Sequence, residues 1–159
     1  MHRSRRLRTA VAAAVAAGLA GGTGVVPASA EAPPVAQAAR TLNVVETANL
    51  RLVRKSGSVI YERGTATGTL PGSVTARFEV SGTKVTGSVT FYPNSGGSLT
   101  LNVVGYARSA SVNARFSGSI AVRSGTGRYA RAVGSGTFEG TVNRRTWAAT
   151  VQARARLTY

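Results

Sequence analysis

The chain has 159 residues, with 20 lysines and arginines against five acids, a single histidine and no cysteine. Every acid is a glutamate, and the histidine stands at position 2. Beyond that position no Ser–His–Asp or Cys–His arrangement and no Cys/His metal site can be assembled, which leaves Glu, Tyr, Lys and Arg for proton transfer and gives no motif for a metal or cofactor.

Residues 1–30 read as a signal peptide. A basic start, Met1 to Arg8, precedes an apolar run from Thr9 to Leu19, and Ala28-Ser29-Ala30 offers a cleavage site. The apolar run is too short and too rich in glycine for a membrane-spanning helix of about 20 residues. Arg5-Arg6 admits a twin-arginine route, but the residues after the pair favour the ordinary secretory one. The expected product is secreted, extracellular or held in the cell envelope. Losing the leader removes four arginines, so sixteen basic residues face five glutamates and the net charge is +11. A field of that sign attracts polyanions. Scattered charges of this kind also serve solubility alone.

Residues 31–40 are rich in Pro and Ala without a period, and are expected to form a flexible N-terminal arm. A β-barrel domain is expected over 41–159. Its strands alternate cleanly. Val74, Ala76, Phe78 and Val80 oppose Ser73, Thr75, Arg77 and Glu79. Val85, Gly87, Val89 and Phe91 oppose Lys84, Thr86, Ser88 and Thr90. Val112, Ala114, Phe116, Gly118, Ile120 and Val122 share one face, and the last strand alternates from Trp147 to Leu157. A period of two means one apolar and one wet face. Turn signals, among them Pro71-Gly72 and Pro93 to Ser98, divide the chain into about eight strands.

The fold class is therefore all-β, and the expected architecture is a single closed antiparallel barrel. Gly87, Gly118 and Gly140 fall on apolar faces inside strands, where glycine weakens a sheet unless it must bend or let backbones approach. Closure needs such bends and removes sheet edges. A sandwich is the alternative.

Gly125-Thr-Gly127-Arg-Tyr-Ala130 also fits a dinucleotide fingerprint. That motif needs a helix behind it and an acid about 20 residues on. Gly134, Gly136 and Gly140 follow instead, and no acid follows Glu139. The glycines read as turns. In their context, from Phe116 to Gly140, the strand, the Gly-Thr-Gly turn, the aromatic and the second group of spaced glycines resemble the allene oxide cyclase/dirigent-like β-barrels. The resemblance covers Phe116 to Tyr159 best and extends over Tyr61 to Gly105. It implies an eight-stranded barrel with a mostly apolar lumen, often a trimer, and cyclase-, isomerase- or dirigent-like chemistry on small apolar molecules. The aspartates that dirigent proteins use are missing here.

Glu46 shares its parity with Leu42, Val44, Ala48 and Leu50, so it is the candidate catalytic and ligand-binding residue; a bulge turning it outward, or an arginine partner at the barrel mouth, is the competing reading. Glu62 is a second lumen candidate with an ambiguous face. Tyr106, Tyr129 and Trp147 are the large groups able to line a cavity, a core or a subunit contact. Arg77, Lys84, Arg115, Arg123, Arg154 and Arg156 form the outward basic set for polyanions. Nucleic acid is disfavoured because the wet faces offer few stacking rings. An outer-membrane barrel is disfavoured because the apolar faces lack aromatic girdles. Two functions follow: a secreted barrel that binds a small apolar molecule, or a non-enzymatic exported protein that holds anionic envelope or matrix polymers.

Overall fold

The alternating segments become eight strands in the computed structural model, which describes residues 39–159. The expected leader, its cleavage site and nearly all of the arm lie outside the described residues. The strands are β1 (Thr41–Ser56), β2 (Val59–Gly68), β3 (Gly72–Ser81), β4 (Lys84–Pro93), β5 (Ser98–Ala107), β6 (Asn113–Thr126), β7 (Val133–Asn143) and β8 (Ala149–Thr158). Each pairs antiparallel with the next, and β8 returns to β1 with Thr41 opposite Thr158 and Leu50 opposite Ala149. The barrel is closed, so the sandwich alternative does not hold. A single 3₁₀ turn, Gly127–Tyr129, is the helical element among the described residues.

Two bulges change which way side chains point. Val53 is the extra residue of β1, because Leu52 pairs with Glu62 and Arg54 with Tyr61. Arg123 is the extra residue of β6, between Val122 opposite Leu101 and Ser124 opposite Thr100. A bulge shifts the alternation by one residue. Two readings of the alternation need correction. Val112 precedes β6 and is exposed. Trp147 lies in the β7–β8 turn, two residues before the last strand begins.

The interior glycines take aromatic rings. Gly105, Gly118 and Phe138 stand in one register row across β5, β6 and β7. A Cβ on Gly118 would come within 2.5 Å of Gly105 Cα and 2.7 Å of Phe138 Cζ. The tip of the Phe138 ring therefore occupies the space that side chains on the two glycines would fill. Phe78 covers Gly87 and Phe116 covers Gly140 in the same way, at 2.8 and 2.9 Å from a would-be Cβ.

One end is filled. Leu50, Val74, Phe91, Leu99, Tyr129, Ala132 and Leu157 belong to one buried cluster. Outer faces carry Ser, Thr and Arg while the inner faces carry Val, Leu, Phe and Ala. That is the reverse of a lipid-embedded barrel, which is apolar outside. No helix among the described residues is long and apolar enough to cross a membrane.

Candidate functional site

The inner faces enclose a cavity of about 410 Å³. That volume falls within the range of small-molecule pockets, roughly 300–1,000 Å³. Val44, Ala48, Ile60, Phe78, Val89 and Leu101 are among its apolar lining, and Glu46 and Glu62 are its two carboxyl groups. Gly82, Thr83 and Arg144 line the cavity and are exposed at the end of the barrel that carries the β3–β4 and β7–β8 turns, which forms its mouth; Ser135 and Arg156, also exposed, line it toward the other end.

Trp147 guards that mouth. Its φ of 59° is in the left-handed region, uncommon for a bulky residue. The turn holds it there. Asn143 Oδ1 accepts from the backbone N–H groups of Arg145 and Thr146 at 3.0 and 3.1 Å, and Asn143 O accepts from Trp147 N at 2.6 Å. The indole lines the cavity and stands 5.7 Å from Lys55 Nζ. Lys55 reaches it because of the bulge at Val53, which puts Lys55 opposite the buried Ile60. Simple alternation places Lys55 on the outer face.

Glu62 is the lumen carboxyl whose burial no backbone N–H offsets. Opposite Leu52 and Ala76, it is 5% exposed. Burial alone pushes its pKa up, from 4.5 to about 7, with no cation to offset it. At neutral pH such a carboxyl is part protonated, and it can hold or give a proton inside an apolar chamber. Its ambiguous parity is resolved inward, with Ile60 and Ala66; Tyr61 and Arg63 point out.

Glu46 is also buried, at 8% exposure, but its environment is different. One carboxylate oxygen, Oε1, accepts the backbone N–H of Leu70 in the β2–β3 turn; Oε2 is buried without a partner. Burial raises its pKa, and the backbone N–H groups of Leu70 and Thr69 partly offset that. Neither competing expectation holds among the described residues: no bulge turns it out and no arginine pairs with it. Gly68, directly opposite, leaves the space, since a Cβ there would meet Val45 O at 2.1 Å and Glu46 Oε2 at 3.0 Å. Glu46 pins a turn. Glu46→Ala should cost about 1–3 kcal/mol in urea unfolding by stranding the Leu70 N–H, and leave ligand affinity in the mouth half of the lumen unchanged. Wild-type stability in that variant would show that the contact is idle.

The two carboxyl groups do not form a pair. Leu52, the partner of Glu62, is six residues from Glu46 on β1, so about 20 Å of strand lies between them at about 3.3 Å per residue. Paired-carboxylate glycoside chemistry needs about 5–10 Å.

The other expected residues scatter. Tyr106 is 44% exposed on the outer wall. Tyr129 is fully buried beneath the lumen, so neither tyrosine lines the cavity. Arg77 and Lys84 stand on β3 and β4, whereas Arg115, Arg123, Arg154 and Arg156 stand on β6 and β8. β4 and β8 are on opposite sides of the closed ring, so the six do not make one stripe. Sequence reasoning missed Lys55 and Arg144 at the mouth.

No family model matches the chain, and no curated protein matches it either. Among solved structures, a conserved protein of unknown function from Rhodopseudomonas palustris, RPA1785, aligns with 11% identity and a TM-score of 0.41 over 76% of this chain and 98% of its own. At that distance the likeness carries no argument about function.

Proposed function

We propose that this is an exported barrel that binds a small apolar molecule in its lumen, with Glu62 meeting the one polar group of that molecule. The observation that carries the reading is a buried carboxyl, Glu62, raised to about 7 by burial alone, in a largely apolar cavity of about 410 Å³ whose other carboxyl, Glu46, is engaged by the β2–β3 turn. A ligand that donates or accepts one hydrogen bond would relieve the buried carboxyl, and the apolar wall would take the remainder. The Gly-Thr-Gly turn and the spaced glycines support membership of the allene oxide cyclase/dirigent-like group. In that setting Glu62, rather than Glu46, is the group to assist an isomerisation or cyclisation by proton transfer. By the same resemblance the barrel is proposed to form a homo-oligomer, a trimer in the family pattern.

Trp147 gives the test without a label, because its indole lines the cavity mouth. Titration with a panel of apolar alcohols, ketones and acids should give saturable fluorescence changes, with a matching rise in unfolding temperature. A panel that leaves both readouts flat would overturn lumen binding.

A further inference from the structure

We propose that the outer wall of β1–β3 is a docking site for a base-free phosphodiester polymer, held by Arg51, Arg54, Arg63 and Arg77 together with the Tyr61 hydroxyl. Three of these residues belong to no basic run in the sequence; pairing of the strands brings them together. Arg51 lies directly opposite Arg63, and Tyr61 lies opposite both Arg54 and Arg77. All four arginines are exposed. Like charges placed directly opposite destabilise a sheet, so the fold gains nothing from this arrangement. An anion seated across the pair would turn the repulsion into binding. Glu79, two residues beyond Arg77, is the one acid on this wall.

The chemistry of the cluster favours phosphate. Its cations are all arginine, whose planar fork fits phosphate with two bonds. The Arg54 guanidinium carbon sits 4.4 Å from the Tyr61 ring centroid. Hydrogen bonding from Arg77 is the main cause that holds the Tyr61 pKa below its ordinary value, with Arg54 adding to it. Register places both arginines beside Tyr61, so its hydroxyl belongs to the same cationic patch.

Spacing and stacking choose the polymer. The Arg51–Arg63 row and the Tyr61–Arg77 row are two residues apart on β2, which is about 7 Å. A glycerol-phosphate repeat has six backbone bonds, twice those of a peptide residue, so it also reaches about 7 Å when extended. Single-stranded nucleic acid has the same repeat, but it needs free aromatic faces for its bases. The ring in this patch is covered by Arg54.

The test is calorimetric titration of the intact secreted chain with a glycerol-phosphate polymer at several salt concentrations. Arg51→Ser/Arg63→Ser should weaken binding roughly tenfold or more. It should also lower the slope of log affinity against log salt by about 1.4, two contacts at roughly 0.7 each. Arg154→Ser/Arg156→Ser, on β8, should bind as wild type does. The first pair should unfold at or above the wild-type temperature, which separates lost contacts from lost fold. Equal losses in the two double variants would mean diffuse attraction and overturn the site. Tighter binding of single-stranded DNA, or equal binding of polygalacturonate, would overturn the phosphodiester assignment. Lumen occupancy, followed by Trp147 fluorescence, should not change in the Arg51→Ser/Arg63→Ser variant, whose two positions lie outside the cavity lining, so this site and the lumen stand or fall separately.

Discussion

Glu62→Gln should stabilise the barrel by about 3 kcal/mol at pH 8 and by little at pH 4. The folded carboxyl titrates at about 7 and the unfolded one at 4.5. Between those values the native state binds more protons than the unfolded state, so stability falls as pH rises. The cost is absent below about pH 4.5, grows through the interval and is complete above about pH 7. A gap of about 2.5 units corresponds to about 3 kcal/mol at 1.36 kcal/mol per unit. For a domain of this size that is on the order of 10 °C in unfolding temperature. Glutamine keeps the shape and removes the charge, so the variant should show a nearly flat profile over the same window. A bound ligand that pairs with Glu62 should flatten the wild-type profile too. The measurement is thermal unfolding from pH 4 to 8 for both proteins. Parallel profiles would mean that Glu62 is hydrated in solution and would remove it from the proton-transfer role.

The architecture was legible because most strands repeat with period two and most turns carry a glycine, proline or asparagine, although bulges interrupt β1 and β6 and the β5–β6 connection, residues 108–112, carries none of the three. Closure was legible from glycines on apolar faces, although their use proved more specific: Gly118 and Gly105 receive the Phe138 ring. What alternation could not carry is contact between strands. Glu62 was ambiguous because Val59 and Tyr61 on one parity look as apolar as Ile60 on the other, and only the register against β1 and β3 decides. Lys55 was placed by a bulge that no residue in Leu52-Val53-Arg54 announces. Glu46 shares the parity of the apolar face, but its partner is a backbone N–H 24 residues away, and no side-chain pattern encodes that. The Arg51–Arg63 pair is a matter of register in the same way.

Tyr129→Ala should cost about 3–5 kcal/mol, the range for deleting a large buried aromatic. This is the residue that the Gly-Thr-Gly turn exists to place. Gly127 adopts a φ of 58°, a conformation glycine enters without penalty. A Cβ on Gly125 would lie 2.1 Å from Tyr129 O, so the strand end and the following 3₁₀ turn can close on each other only without a side chain there. The chain then folds Tyr129 into the buried cluster, with no exposed surface, 4.9 Å from the Tyr159 ring centroid. Its hydroxyl meets Ser95 Oγ at 3.1 Å, which ties the β6–β7 connection to the β4–β5 turn. The contacts join both halves of the chain, so their loss should unfold the barrel as one unit and lower the urea midpoint without a new intermediate. Tyr129→Phe separates the two contributions: it keeps the ring and loses only the Ser95 bond, for about 1 kcal/mol. A Tyr129→Ala protein as stable as Tyr129→Phe would show that the ring does not hold this end of the barrel shut. The glycine signature would then be a turn without a plug, and the cavity would be open at both ends.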